Sequence, residues 1–313
     1  MSKKFVRHRK FLIEESKFKN IFNIDDNSVI EKIKMNYRLT YMRDVAIARF
    51  IEETTIKNMN IIIHYNNSDI IQYFTTHKTI LKSLFDMISS DQSDVKYEGM
   101  AFLMELNQVS KDLIQTKIYF YEALCEMNIL EVIENMFVYL AVGRKIRYFK
   151  HKHLYADENL SNQEMLPEDK KKHQIMEINS IEMMICCLTV VPSIFYVKID
   201  IVKNYILSKN QKLKEYSMLN ELCNILLYQE NFGSKYEVNF LLNQIGELLK
   251  FLLDNEVNER KNEFYDLFYN KFLKKFVDFL SIRVKDYPQY KNEIIESKQL
   301  IIDILCHCLK LHG

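Results

Sequence analysis

An all-α chain of stacked helical repeats, an armadillo/HEAT-like solenoid, is the fold class this sequence predicts, and three observations carry it. Glycine and proline are scarce, five and three in 313 residues, and these residues punctuate hairpins, tight turns and phosphate loops. Apolar residues recur at helical spacing through most of the chain. Between Ser93 and Leu140 three such helices fall within roughly forty-five residues, the period of armadillo and HEAT repeats, whose faces are buried only by stacking.

The elements follow in chain order. Residues 1–27 read as a basic lead-in, helical in part around Phe11 to Phe22. Its Lys3, Lys4, Arg7, Arg9 and Lys10 fit a solvated terminus better than a nuclear-import signal. Ser28 opens a helix, since Ser28-x-x-Glu31 has capping-box spacing, and Val29, Ile30, Ile33 and Tyr37 form its stripe. Ile56, Met59, Ile62 and Ile63 mark the next helix. Asn66 to Asp69 reads as a turn that doubles as an N-cap, so Ile70, Ile71 and Phe74 belong to a further helix. Ile80, Leu81, Leu84, Phe85 and Ile88 define the one after. The repeat pattern then returns with Ser93–Gln108, Leu113–Met127 and a helix capped by Asn128-x-x-Glu131. These repeats occupy 28–143.

Residues 144–177 read as a polar insertion loop containing Pro167. A second set of repeats, 178–313, continues the same solenoid. Asn179-x-x-Glu182 caps a helix ending at Pro192, where proline suits the first turn of a new helix running to about Leu207. Tyr216–Gln229 follows. Val238, Leu241, Leu242, Ile245, Leu249 and Leu252 describe a helix buried on more than one side, with Gly246 allowing close helix contact. Phe264, Tyr265, Phe268, Phe272, Phe276 and Phe279 form an aromatic stripe of helical period, which reads as core. The last helix, about Ile294 to Leu311, ends apolar. Leu305, Leu309 and Leu311 there suggest a longer chain or a cover over this end.

Charge is balanced, 43 Lys+Arg against 42 Asp+Glu, which provides no global field for nucleic acid or anionic membrane. Cys125, Cys186, Cys187, Cys223, Cys306 and Cys308 each lie in an apolar helical stretch, as buried thiols of a reduced, intracellular protein do. No secretory signal and no membrane-spanning run is visible.

Chemistry is sparse. The phosphate-loop, dinucleotide, zincin and serine-hydrolase motifs are absent, so no catalytic residue and no cofactor are expected. Cys306-His307-Cys308 cannot converge on one metal from a helix, where neighbours point about 100° apart, and Cys186-Cys187 fails likewise. His151, His153 and His173 are a weak metal candidate without a second shell. Glu52-Glu53 and Asp25-Asp26 sit at joints or helix starts, where they complement the dipole. The basic block Arg144, Lys145, Arg147, Lys150, Lys152, with Tyr148 and Phe149, reads as a solvated insertion before a nucleic-acid strip. What remains is a surface for another protein, lined by the helices near Thr79–Ser89, Asn128–Leu140, Tyr216–Tyr228 and Glu263–Leu280. Asn135, Asn220 and Asn224 are candidate contact residues on it.

One stretch carries a family resemblance. Tyr37, Arg38, Tyr41, Asp44, Glu52, Glu53, Asn66, Asn67, Asp69, Ile70 and Ile71 resemble, in order and spacing, the SMEK/Falafel family, the regulatory subunit 3 of protein phosphatase 4. The similarity returns at Ile245–Leu253 and from Glu263 to Phe279. The chain departs from the family in being shorter between Arg49 and Glu52, in the 144–172 insertion, and in lacking the N-terminal EVH1-like domain that reads proline-containing peptides. The resemblance implies a non-catalytic scaffold of nucleus and cytoplasm. It would join a phosphatase catalytic subunit, and a second regulatory subunit, to phosphoprotein substrates. Tyr37, Arg38, Tyr41 and Asp44 become a candidate partner surface, although two packing tyrosines and an internal Arg–Asp pair explain them better, without a partner. The alternatives are a nucleic-acid-binding helical repeat using Arg144–Lys152 and an importin-like adaptor.

Overall fold

Helix follows helix through the computed structural model, which describes residues 8–12, 21–46, 52–140, 167–208, 217–227, 235–254, 261–286 and 291–312. No strand occurs among them, and successive helices pack on their neighbours, as the all-α repeat reading requires. The chain divides into two compact units, Met1–Leu84 with Glu105–Leu124, and Phe85–Met104 with Cys125–Gly313. The division falls among the helices of the first set of repeats.

In the first unit, α1 spans Asn27–Tyr41 and ends in a π-helical turn, Met42–Ala46. Its cap is Asp26, whose carboxylate accepts the Ser28 N–H at 2.7 Å. Ser28 is thus inside the helix, and Glu31, expected as its capping-box partner, pairs with Lys34 at 2.9 Å.

The helix α2 spans Glu53–Thr76 without interruption, which corrects the turn expected at Asn66–Asp69. Asparagine and serine form caps when their side chains bond local backbone. Here tertiary partners take those side chains instead. Asn66 and Asn67 bond Asn36 of α1, Asp69 bonds Lys32 of α1, and Ser68 meets Thr116 at 2.9 Å. The backbone is left free to continue the helix. Ile62, one of the residues whose spacing marked this helix, is exposed, while Ile70, Ile71, Tyr73 and Phe74 are buried. Each full burial contributes about 1.5–3 kcal/mol. The helix stops at His77, whose Nδ1 donates to Tyr73 O at 2.8 Å and whose ring stacks on Tyr73.

Helices α3 (Lys78–Ile88), α4 (Ser93–Ser110) and α5 (Gln115–Glu126) follow. Within the first unit, Tyr121 of α5 donates to Asn107 Oδ1 of α4 at 2.6 Å and lies 3.0 Å from Ser110 Oγ, all three buried.

In the second unit, Asn128 starts α6 (129–140) in the left-handed region, φ 62°, a conformation asparagine tolerates. Helix α7 spans Pro167–Val197, so it begins inside the segment expected to be loop up to 177. It also runs through Pro192, where a boundary was expected. An interior proline costs about 3 kcal/mol. Burial of Val190, Val191, Ile194 and Phe195 on both sides of it offsets that cost, and Ser193 Oγ donates to Thr189 O at 2.9 Å. The break comes at Lys198, before α8 (Ile199–Ile206).

Three helices close the unit after α9 (Ser217–Leu227): α10 (Lys235–Asp254), α11 (Lys261–Leu280, with a π turn at Tyr269–Leu273) and α12 (Lys291–His312). Phe268, Phe272 and Phe276 are wholly buried, so the aromatic stripe is core. Gly246 of α10 faces α12 so closely that a Cβ there would stand 2.5 Å from Leu300 Cδ1.

Candidate protein-interaction surface

The sequence-predicted surface residues fall into two groups. In the first unit the last turn of α1 presents Tyr37 and Arg38, both exposed, and Tyr41, half-buried. Tyr37 and Tyr41 are one turn apart and stack at 6.4 Å between ring centroids. Tyr41 is covered by the short segment around His8–Lys10. Its hydroxyl lies 3.0 Å from His8 Nδ1, and its ring 5.2 Å from that of Phe11. Asp44 is held by Arg43 in a fork, Nε to Oδ1 at 2.6 Å and Nη2 to Oδ2 at 2.9 Å, while Arg43 Nη1 also donates to Asn60 of α2 at 2.7 Å. The internal Arg–Asp pair is therefore made by Arg43. The Arg43 guanidinium lowers the Asp44 carboxyl below its ordinary range.

In the second unit Asn135 is exposed on α6, and Asn220 and Asn224 are half-buried on α9. Asn224 Nδ2 lies 3.5 Å from Glu221 Oε1. The residue that joins these helices is Glu134, which the sequence reading missed. Its carboxylate is 4% exposed and accepts from the Met218 N–H at 3.2 Å and the Tyr205 hydroxyl at 2.8 Å. A buried anion on the first turn of α9 satisfies a backbone donor with no intrahelical partner. Burial, and then the bond to Glu134, push the Tyr205 hydroxyl up. The available signal was a glutamate one position before an exposed Asn135 on an otherwise apolar helix face.

Other polar groups are structural. The Lys96 ammonium, buried, donates to Ile88 O at 2.9 Å and lies 4.7 Å over the Tyr139 ring. Desolvation lowers its pKa. Burial drives the Cys186, Cys187 and Cys223 thiols up, which suppresses thiolate chemistry. Of Cys306-His307-Cys308, Cys306 is exposed, Cys308 is buried, and His307 pairs with Asp254 at 2.6 Å. The three point apart, as helical spacing dictates. No group of three metal-binding side chains gathers among the described residues, and no described helix is long and apolar enough to cross a membrane. The basic block 144–152, and His151 and His153 with it, lie outside the described residues.

The helices pack into an all-α fold with Tyr37 and Arg38 exposed on the last turn of α1 and Asn135 exposed on α6. Within that class the chain belongs to the phosphatase 4 regulatory subunit 3 family, whose sequence model matches residues 1–313. It is similar to Suppressor of Mek1 of Dictyostelium discoideum, at 22% identity over 98% of this chain and 25% of that protein. It is also similar to an uncharacterized protein of Schizosaccharomyces pombe, at 25% identity over 79% of this chain and 26% of that protein. The chain thus spans about a quarter of the length of these relatives. No solved structure matches it.

Proposed function

We propose that the chain is a non-catalytic regulatory scaffold that assembles with a protein phosphatase 4 catalytic subunit and directs it to phosphoprotein substrates in nucleus and cytoplasm. The observation that carries this reading is the family match across the full 313 residues. The side chains support it. Three of the six thiols, Cys186, Cys187 and Cys223, are held protonated by burial, and the buried Glu134 serves as a helix anchor. Such a chain contributes shape and surface, while dephosphorylation belongs to its partner. Purified chain mixed with the purified catalytic subunit at mild salt forms a complex on size exclusion under this reading. Two separate peaks at concentrations near ten micromolar, about the weak end of regulated assemblies, remove it.

A further inference from the structure

Helix α12 buries one face and leaves the opposite one apolar. Ile294, Ser297, Leu300, Ile301, Ile304 and Cys308 are buried. Leu300 meets Gly246 of α10, Ser297 Oγ donates to Leu226 O of α9 at 3.0 Å, and Lys298 Nζ donates to Leu280 O of α11 at 2.8 Å. On the opposite face stand Ile295, Ile302 and Leu309, at 42%, 48% and 71% exposure. They are seven residues apart, so they drift only about 20° per step and form one line along the helix. Half-buried Leu305 and exposed Cys306 lie between the last two. Such an aligned exposed apolar stripe marks an interaction site, which single scattered residues do not.

Two properties of the stripe select its occupant. The first is its symmetry about Ile302, with Ile295 seven residues before and Leu309 seven after. A two-fold interface brings residue i onto j and j onto i. A second α12 laid antiparallel therefore sets Ile302 on Ile302, and each Ile295 on the other copy's Leu309. The second is charge. Glu296, Asp303 and Lys310 each follow an anchor by one position and so share one flank, and in an antiparallel two-fold pair like flanks meet. Lys310 then comes within about 3 Å, along the axis, of Glu296 on the other copy. Lys310 is exposed, Glu296 is half-buried with its Oε2 lacking a hydrogen-bond partner, and neither enters an ion pair among the described residues. Asp303, exposed, faces its own copy near the centre. That like-charge approach weakens the pair, and the two Lys310–Glu296 approaches oppose it.

We infer that α12 pairs antiparallel with α12 of a second copy of this chain, centred on Ile302. One face of a single helix is a small contact, so the dimer forms at micromolar concentration. The inference is independent of the regulatory-subunit reading, because association is measured on the chain alone.

Sedimentation equilibrium of the 313-residue chain reads the association, and circular dichroism melts show that each variant folds. Ile302→Arg weakens the dimer about tenfold or more. Lys310→Glu weakens it, and adding Glu296→Lys recovers it. Asp303→Asn tightens it by about twofold or more, a gain expected only where Asp303 faces its own copy. Oxidative cross-linking in a Cys306→Ser background fixes the direction. Ile302→Cys gives a disulfide dimer, whereas Ile295→Cys does not, since it stands about 21 Å along the axis from its counterpart. A monomer at every concentration up to about 100 micromolar overturns the inference and leaves the stripe to another partner. Association indifferent to Ile302→Arg overturns it, as does cross-linking of Ile295→Cys to itself, the mark of a parallel pair.

Discussion

Asn66 and Asn36 hold α1 and α2 in register. Asn66 Nδ2 donates to Asn36 Oδ1 at 2.8 Å, and Asn36 Nδ2 donates on to Asn67 Oδ1 at 2.8 Å. Asn66 is 9% exposed, so Asn66→Leu leaves the Asn36 oxygen poorly solvated and costs about 1–3 kcal/mol. The Asn36→Ala/Asn66→Ala double variant costs less than the sum of the two singles, because each single orphans the same bond. Urea unfolding of the unsubstituted chain, Asn66→Leu, the two alanine singles and the double variant checks both statements.

Gly246→Ala reads the α10–α12 contact. Alanine gains about 1 kcal/mol in helix propensity, but its Cβ meets Leu300 Cδ1 at 2.5 Å and Cγ at 3.1 Å. Overpacking of about 1–3 kcal/mol outweighs the gain, and the melting temperature falls. In a Leu300→Ala background the space exists, and Gly246→Ala becomes stabilising. A fall of the same size in both backgrounds contradicts the assigned contact.

The alkaline limb of stability follows from the raised phenols and thiols. Tyr97, bonded to Glu182, moves from 10.0 up to about 12, by that bond first and then by burial. Tyr205 is raised as well, and Cys186, Cys187 and Cys223 are raised from 9.0. A group whose folded pKa lies above its unfolded value contributes stability that is whole below the unfolded pKa and is lost as pH rises toward the folded one. Stability should therefore hold below pH 9 and fall above it, as thiols and then phenols ionise in the unfolded chain. Tyr97→Phe removes the Tyr97 share of the slope between 10 and 12 and leaves that of Tyr205 and the thiols. A flat profile from pH 8 to 11 contradicts the assignment.

Thiol labelling separates the cysteines. Cys306, exposed on α12, reacts with a disulfide reagent in the native state, and Cys186, Cys187 and Cys223 react only on unfolding. The Cys306→Ser variant loses the fast phase of the reaction trace.

The fold class was legible because glycine scarcity and 3.6-residue periodicity report local geometry. Gly246 and the Phe268–Phe276 stripe were legible for the same reason: a gap on an apolar face, or a ring at every turn, means packing whatever the partner. Asn66–Asp69 and Pro192 misled because their local preferences yield to tertiary bonds and burial, which a single sequence does not display. Glu134 was missed because its partners, Met218 and Tyr205, lie more than seventy positions away. In the family-bearing stretch, Tyr37, Arg38, Tyr41 and Asp44 were found together at the end of α1 and its π turn, but the cation that holds Asp44 is the neighbouring Arg43.

The regulatory-subunit reading meets its most direct test in reconstitution with purified components. Immobilised 313-residue chain is exposed to a protein phosphatase 4 catalytic subunit at mild salt, with a related phosphatase catalytic subunit as competitor. The account predicts selective capture of the phosphatase 4 subunit, retained after the competitor is added. Equal capture of both, or of neither, by chain shown to be folded would contradict it.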